Sequence, residues 1–209
     1  MRQTSFFRLR AGVLGLLAAV LAGCFGSAPT RFYTLSAVEA PATAGQEVPG
    51  GTATRLGVGP VALADYLNRP QIVVRAGENE VRLGEFHRWA GSLREDIAQV
   101  LSENLSNLLS PDRVSVVSWR RAVPVEHRVS VDILRFDLVA GRQALLKAQW
   151  VLYGKDGKTI LWSEESTVSR AVRDEGYGAQ VSALSLTLAD LSETIATRIR
   201  PLLKRADRP

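Results

Sequence analysis

The residue whose chemistry is easiest to assign is Cys24, the single cysteine of this 209-residue chain. It ends the tetrad "LAGC", residues 21–24, which has the form of a bacterial lipobox: a leucine, two small residues and a cysteine. A lipid-transferring enzyme needs that thiol as its nucleophile, and a signal peptidase needs the small Ala22 and Gly23 to fit its cleft. We expect the mature chain to begin at Cys24, which carries a thioether-linked diacylglycerol and an acylated amine. A free cysteine near an ordinary cleavage site is the alternative.

The residues before Cys24 have the pattern of a secretory signal peptide. Three arginines open the chain without an acidic residue, and an apolar run of 12 residues follows at 11–22. A helix that crosses a bilayer needs roughly 20 apolar residues, so this run is too short to span one. We therefore predict a signal peptide at 1–23 and a lipidated tether at 24–30. Phe25 stands where aspartate would resemble the inner-membrane retention signal of enterobacteria, which favours the outer membrane, on its periplasmic side.

Motifs for catalysis or metal binding are incomplete in this sequence. The segment "GKDGKT", residues 154–159, would need a further glycine five residues before Gly157 to form a phosphate-binding loop, and Leu152 stands there. His87 and His127 are 40 residues apart, and the one cysteine is assigned to lipid, which disfavours a zinc site. No G-x-S-x-G elbow occurs. We predict no catalytic residue, no metal and no cofactor beyond the acyl chains on Cys24.

Three acidic residues of one predicted helix could be imagined as a general acid and base: Glu95, Asp96 and Glu103. Their more ordinary role is a solvated helix face opposite an apolar stripe. An enzyme is therefore the least supported class for this chain.

The net charge of the mature chain does not favour nucleic-acid binding. Removal of the three arginines in residues 1–23 takes the 26 basic residues to 23, against 21 acidic ones, so the net charge falls from +5 to +2. The remaining residues suffice for one domain with a substantial core.

The periodicity of apolar residues predicts strands and two long helices. The first helix should place Trp89, Leu93, Ile97, Val100, Leu101, Leu105 and Leu108 on one face, with Ser92 and Glu95 as a capping box. The second should run from about Tyr177 to Leu203, and its apolar stripe should be Val181, Leu184, Leu188, Leu191, Ile195 and Ile199. In the candidate strand at 142–153, one face should be buried, because Ala144, Leu146, Ala148, Trp150 and Leu152 alternate with Leu145, Lys147, Gln149 and Val151. The strand candidates are residues 31–37, 56–61, 71–75, 80–86, 113–118, 128–139, 142–153 and 159–168.

These elements predict one layered α/β domain at 31–209, with a flexible loop at 37–55. The sheet should be mixed, of about six strands, and its last three strands should form an antiparallel meander because their connections are short. Two long amphipathic helices should cover it.

Four stretches follow one another in the mature chain: "RFYTL", "VALADYLNRPQIVVR", "FHRWAGSLREDIAQVLSENLSNLL" and "DEGYGAQVSALSLTLADLSETIATRI". Behind a lipobox and in this order, they resemble the motifs of the PqiC/YmbA-type lipoproteins, also described as auxiliary lipoprotein components of ABC-type transport systems. The resemblance covers nearly all of the mature chain, and the long loop at 37–55 departs from the family pattern.

The resemblance implies a function in lipid transport between membranes. Such lipoproteins work with MCE-domain proteins, which build hydrophobic conduits across the periplasm. This chain would be a non-catalytic docking subunit at the outer membrane, and its partners would be the conduit protein and the inner-membrane transporter subunits. A homo-oligomer is compatible with this function. The alternative is a lipoprotein that activates a cell-envelope enzyme by contact.

The family motifs also single out residues. Because loops on a rigid scaffold commonly carry binding, and Tyr66 lies between two strand signals, we expect partner binding at the segment that follows the first long strand. Its candidate residues are Asp65, Tyr66, Leu67, Asn68 and Arg69. The motif residues Tyr33, Trp89, Gly176 and Tyr177 are expected to be structural, and core packing is the ordinary role of all four motif aromatics, Tyr66 included.

Overall fold

The computed structural model describes residues 28–38, 54–118, 123–140 and 142–206. The predicted signal peptide and Cys24 lie outside these residues, as does most of the predicted 37–55 loop. Thr54 and Arg55, the last two residues of that predicted loop, already belong to a strand, in which they pair with Val114 and Ser115.

The described residues form eight strands and two helices in one mixed sheet-and-helix domain, so the predicted fold class is confirmed and every strand candidate is a strand. The strands are β1 Arg31–Tyr33, β2 Thr54–Leu63, β3 Gln71–Arg75, β4 Val81–Trp89, β5 Val114–Ser118, β6 His127–Val139, β7 Gln143–Tyr153 and β8 Ile160–Ala171. The helices are α1 Leu93–Leu109 and α2 Tyr177–Ala206.

The sheet divides at its longest strand, β6. One edge of β6 pairs with β7 along its whole length, and β7 pairs with β8, which gives the predicted antiparallel meander. The other edge pairs first with β2 as far as Ile133 and then with β3 at Leu138 and Val139, both in parallel. The sheet thus has two branches on this side, β2–β5 and β3–β4–β1. The connection between β2 and β3 lies where these two branches separate.

Both helices pack on one face of the sheet. Helix α1 lies over β2 and β5, and α2 lies over β6, β7 and β8. The predicted stripe of α2 is buried in full: Val181, Leu184, Leu188, Leu191, Ile195 and Ile199. The β7 residues that face the helices are buried as well: Ala144, Leu146, Ala148, Trp150 and Leu152. The two periodicities, near 3.6 for the helix and 2 for the strand, therefore produce one continuous core.

The prediction that Trp89 begins the apolar face of α1 is wrong. Trp89 is the last residue of β4, opposite Tyr33 in β1, and its ring centroid lies 6.4 Å from that of Phe136 in the core. The chain turns after Trp89, and Ser92 has the extended backbone of an N-cap residue, so α1 begins at Leu93. The Ser92 side chain makes no capping hydrogen bond, so the predicted capping box is not formed by that side chain.

Strand β1 is shorter than predicted because the chain leaves the sheet after Tyr33. Residues 34–38, here called the N-terminal strap, run along the two helices. The Leu35 amide donates to Asp96 Oδ2 at 2.8 Å, and the Val38 amide donates to Asn104 Oδ1 at 2.9 Å. Side chains of α1 thus replace a neighbouring strand as hydrogen-bond partners of this backbone.

Candidate functional site

The segment predicted to bind a partner, residues 65–70, lies where the sheet divides and is here called the docking loop. It begins with a turn of 3-10 helix at Asp65–Leu67, and the side chain of Leu67 is buried in the core. The backbone is held at both ends: the Ala64 amide donates to the Ile133 carbonyl, and the Trp89 amide donates to the Pro70 carbonyl at 2.7 Å. The loop is therefore part of the rigid scaffold.

The docking loop is also fixed by a buried carboxylate in β6. Tyr66 donates its hydroxyl hydrogen to Asp137 Oδ2 at 3.0 Å. Arg75 Nη2 lies 3.2 Å from Asp137 Oδ2, and Arg135 Nη2 lies 2.9 Å from Asp137 Oδ1. These four residues are the Asp137 cluster. The Asp137 side chain has no exposed surface, so its charge is compensated entirely by the side chains around it.

The Asp137 cluster lies on the sheet face opposite the helices. Asp137 stands opposite Leu145 of β7, whereas its neighbours Phe136 and Leu138 stand opposite the core residues Leu146 and Ala144. Three consecutive buried residues in a strand require cover on both faces of the sheet. The helices cover one face, and Tyr66 and the two arginines cover the other.

The protonation of Tyr66 follows from this placement. Burial raises the pKa of Tyr66 above its ordinary 10.0, and the negative charge of Asp137 and the hydrogen bond to it raise it further. Tyr66 therefore stays a neutral hydrogen-bond donor throughout the pH range in which proteins fold.

The docking loop exposes three of the five candidate residues. Tyr66, the candidate that lies between two strand signals, is half-buried with its hydroxyl engaged by Asp137, and Leu67 is inside the core. The candidate residues whose side chains are exposed are Asp65, Asn68 and Arg69. Tyr66 and Leu67 hold the loop, and the other three are available for contact.

A second cluster unites two of the aromatic motif residues with His87. Tyr33 Oη lies 2.9 Å from His87 Nδ1, and the His87 and Tyr177 rings stack with their centroids 3.7 Å apart. This aromatic cluster joins β1, β4 and the first residue of α2. Burial lowers the pKa of His87 below its ordinary 6.5, and the nearby positive charge of Arg31 lowers it further, so the ring is neutral at pH 7.

Two glycines permit the aromatic cluster. A Cβ on Gly84 would lie 3.1 Å from Tyr177 Oη, so the absence of a side chain lets the phenol approach β4. Gly176, a motif residue, precedes α2 with φ of +96°, a backbone conformation that favours glycine. Its carbonyl accepts a hydrogen bond from the Gln180 amide in the first turn of α2.

The acidic residues considered for catalysis have two different surroundings in the structure. Asp96 accepts the Leu35 amide, and burial raises its pKa above the ordinary value. Glu95 and Glu103 instead line a groove of about 800 Å³ between α1 and the edge strand β5. Across residues 28–38, 54–118, 123–140 and 142–206, no three histidine, cysteine, aspartate or glutamate residues group as metal ligands do.

Three members of the Asp137 cluster were not predicted from the sequence. Arg75, Arg135 and Asp137 received no role, although Asp137 interrupts the apolar run of β6 in "LRFDLV". A carboxylate rarely lies between two core residues of a strand, so the position of Asp137 in the sequence was the signal that could have indicated a buried charge. The identity of its partners depends on how β3 and β6 pair.

The comparisons with known proteins agree with this structure. Residues 33–196 match the family model described as the ABC-type transport auxiliary lipoprotein component. The comparison with curated proteins gave no match. An uncharacterized protein of known crystal structure superposes with a TM-score of 0.68 at 19% identity, over 82% of this chain and 99% of that one. A DUF330-family protein from Xanthomonas campestris superposes with a TM-score of 0.66 at 16% identity, over 85% and 98%.

The fold and the family-model match together give the structural class and the family of this protein. Its class is the single-domain α/β protein with a divided mixed sheet and two helices on one face, and the two solved structures superpose on this fold. Within that class, the chain belongs to the family of ABC-type transport auxiliary lipoprotein components. None of the helices in the described ranges is long and apolar enough to span a bilayer.

Proposed function

We propose that this protein is a lipid-anchored outer-membrane lipoprotein that faces the periplasm and acts as a non-catalytic docking subunit of an MCE-type lipid transport system. Cys24 carries the anchor, and the docking loop contacts the MCE-domain conduit protein. The observation that carries the proposal is the docking loop itself, whose exposed Asp65, Asn68 and Arg69 stand on a backbone fixed by Tyr66 and Asp137.

A rigid docking surface suits the physical requirements of lipid transfer. An acyl chain that passes through water exposes apolar surface at a cost of about 25 cal/mol per Å². A conduit must therefore meet its membrane-bound partner without gaps. A loop that is ordered before binding loses little conformational entropy when the partner arrives, which strengthens the contact.

A genetic experiment tests the proposed pathway. Deletion of the gene should make cells sensitive to detergent, and so should deletion of the conduit gene. The double deletion should add little if both proteins serve one pathway. Clearly additive sensitivity, together with failure of the two proteins to co-purify, would contradict the proposal and favour the activator of an envelope enzyme.

Variants of the docking loop separate contact from folding. Tyr66→Ala should weaken binding by releasing the loop from Asp137, whereas Asn68→Ala should weaken binding while the fold is unchanged. The matched control is Arg173→Ala, an exposed residue between β8 and α2. Circular dichroism of each variant checks the fold.

A further inference from the structure

The edge strand nearest the predicted lipid anchor carries an exposed aromatic side chain. Phe32 of β1 is 64% exposed, the largest fraction among the large apolar residues in the described ranges. Among the described strands, β1 pairs only with β4, where Phe32 stands opposite Arg88. Phe86, two residues before Arg88, is 43% exposed. Arg31, Phe32, Phe86 and Arg88 are here called the β1 edge.

The exposure of Phe32 is fixed by its neighbours. Tyr33 turns to the opposite face of β1, where it is held by His87, and the Tyr33 carbonyl accepts the Ala90 amide at 2.8 Å. The N-terminal strap then binds the following residues to α1. Since successive strand side chains alternate between faces, Phe32 cannot turn into the core while Tyr33 stays in the aromatic cluster.

The charge of the β1 edge is positive. Within the described residues, Arg31 and Arg88 make no salt bridge, and Arg88 Nε donates to the Glu85 carbonyl. The charged residues nearby on β4 are the exposed Glu85 and an Arg82 that is paired with Glu80 at 3.0 Å. Arg88 lies on the same face as Phe32, whereas Arg31 lies on the other face of β1, beside His87. Among the charged residues described nearby, Glu85 is the one carboxylate without a salt bridge. An exposed apolar side chain on an edge strand, with an arginine on each face, suits the headgroup region of a phospholipid bilayer.

The length of the tether limits which part of the domain can face the anchoring membrane. Six residues lie between Cys24 and Arg31, and the seven Cα–Cα steps from one to the other reach at most about 25 Å. A domain of this size has a diameter of about 40 Å, taken as a sphere with the expected radius of gyration. The tether is thus shorter than the domain is wide, so the side from which β1 starts stays close to the bilayer.

We propose that the β1 edge rests on the phospholipid bilayer that holds the anchor. Phe32 and Phe86 enter the headgroup region, and Arg31 and Arg88 contact lipid phosphates. The acyl chains and the β1 edge then form two separate attachments, which fix the orientation of the domain. This inference rests on the attachment at Cys24 that the proposed function includes.

Photo-crosslinking to lipid tests the β1 edge. The chain from Cys24 to Pro209, which contains every described residue, is coupled through the Cys24 thiol to a maleimide-bearing phospholipid. The vesicles consist of phosphatidylethanolamine with phosphatidylglycerol as the minor component. The photoreactive p-benzoylphenylalanine replaces Phe32 in one sample and Phe86 in a second. In the control it replaces Leu186, which is 47% exposed on α2. Intact-mass measurement after illumination counts phospholipid adducts.

The proposal predicts an excess of lipid adducts at positions 32 and 86 over position 186. The excess should be about tenfold, the population ratio that burial of one phenylalanine ring can sustain. Equal yields at the three positions, with circular dichroism showing a folded domain, would overturn the proposal. Because the coupling is chemical, this result does not depend on lipidation in the cell or on an MCE partner. If Cys24 were not lipidated in the cell, or if no MCE-domain protein bound the chain, the crosslinking result would be unchanged.

Discussion

The imidazole of His87 stacks on the phenol of Tyr177, with ring centroids 3.7 Å apart and planes inclined by 7°. His87 belongs to β4, the strand next to the edge strand β1, and Tyr177 is the first residue of α2. Tyr33 of β1 completes the contact through its hydroxyl group. The aromatic cluster thus joins the strand that follows the tether to the C-terminal helix.

Acidification is expected to weaken the aromatic cluster. Burial and Arg31 place the pKa of His87 below 6.5, so the unfolded chain binds this proton more tightly than the folded one. The contribution of His87 to stability is therefore complete above pH 6.5 and decreases as the pH falls through the pKa of the folded state. His87→Phe should reduce the fall in Tm between neutral pH and about pH 5. An equal fall in Tm in the His87→Phe variant would show that other groups cause the loss of stability in acid.

Space at Gly84 is expected to be essential to the same cluster. The new methyl group of Gly84→Ala would lie 3.1 Å from Tyr177 Oη and 3.2 Å from the His87 carbonyl oxygen. Displacement of the phenol should lower the free energy of unfolding by about 1 kcal/mol. The control is Gly91→Ala, whose methyl group would have no atom within 4 Å apart from those of its chain neighbours. Urea denaturation of both variants measures the difference, and similar values for the two would contradict the close packing.

The fold and the candidate site differ in how far the sequence predicts them. The stripe of α2 and the alternation in β7 are local patterns, and the structure confirms both. Trp89 was misplaced because it lies where a strand period meets a helix period, and its spacing to Leu93 suits the helix pattern. Both patterns include this residue, and only pairing with β1 decides between them.

Contacts between distant residues could not be predicted from one sequence. Tyr66 and Asp137 are 71 residues apart, and their hydrogen bond depends on β6 changing partners from β2 to β3. The motif drew attention to Tyr66 but gave no indication that its hydroxyl is buried against a carboxylate. The parallel pairing of β1 with β4, which brings His87 to Tyr33, is equally non-local.

The Asp137 cluster supplies a test of what fixes the docking loop. Tyr66→Phe removes one hydrogen bond to a charged group, which should cost about 1.5–3 kcal/mol of stability. Asp137→Ala leaves two guanidinium groups without their counter-charge and should cost about 3–5 kcal/mol. Asp65→Ala, at an exposed neighbouring position, should change stability by less than about 0.5 kcal/mol. Denaturant unfolding ranks the three, and a smaller loss for Asp137→Ala than for Tyr66→Phe would show that the carboxylate is not the centre of the cluster.

The acylation of Cys24 can be measured independently of function. Intact-mass measurement of the protein from membranes should show a chain that begins at residue 24 and carries a diacylglycerol and an amide-linked acyl chain. Cys24→Ala should leave the precursor in the inner membrane or lead to its degradation. A mature mass with an unmodified cysteine would contradict the lipid anchor.

The central claim is that the docking loop binds an MCE-domain protein, and a direct titration tests it. The chain, immobilised through Cys24, is titrated with the purified conduit protein, as wild type and as the Arg69→Glu and Arg173→Glu variants. Both arginines are exposed, and only Arg69 belongs to the docking loop. We predict saturable binding to wild type and to Arg173→Glu, and a Kd at least about tenfold higher for Arg69→Glu, the loss expected for an interface hot spot. No binding to wild type, or equal Kd values for the two variants, would contradict docking through this loop.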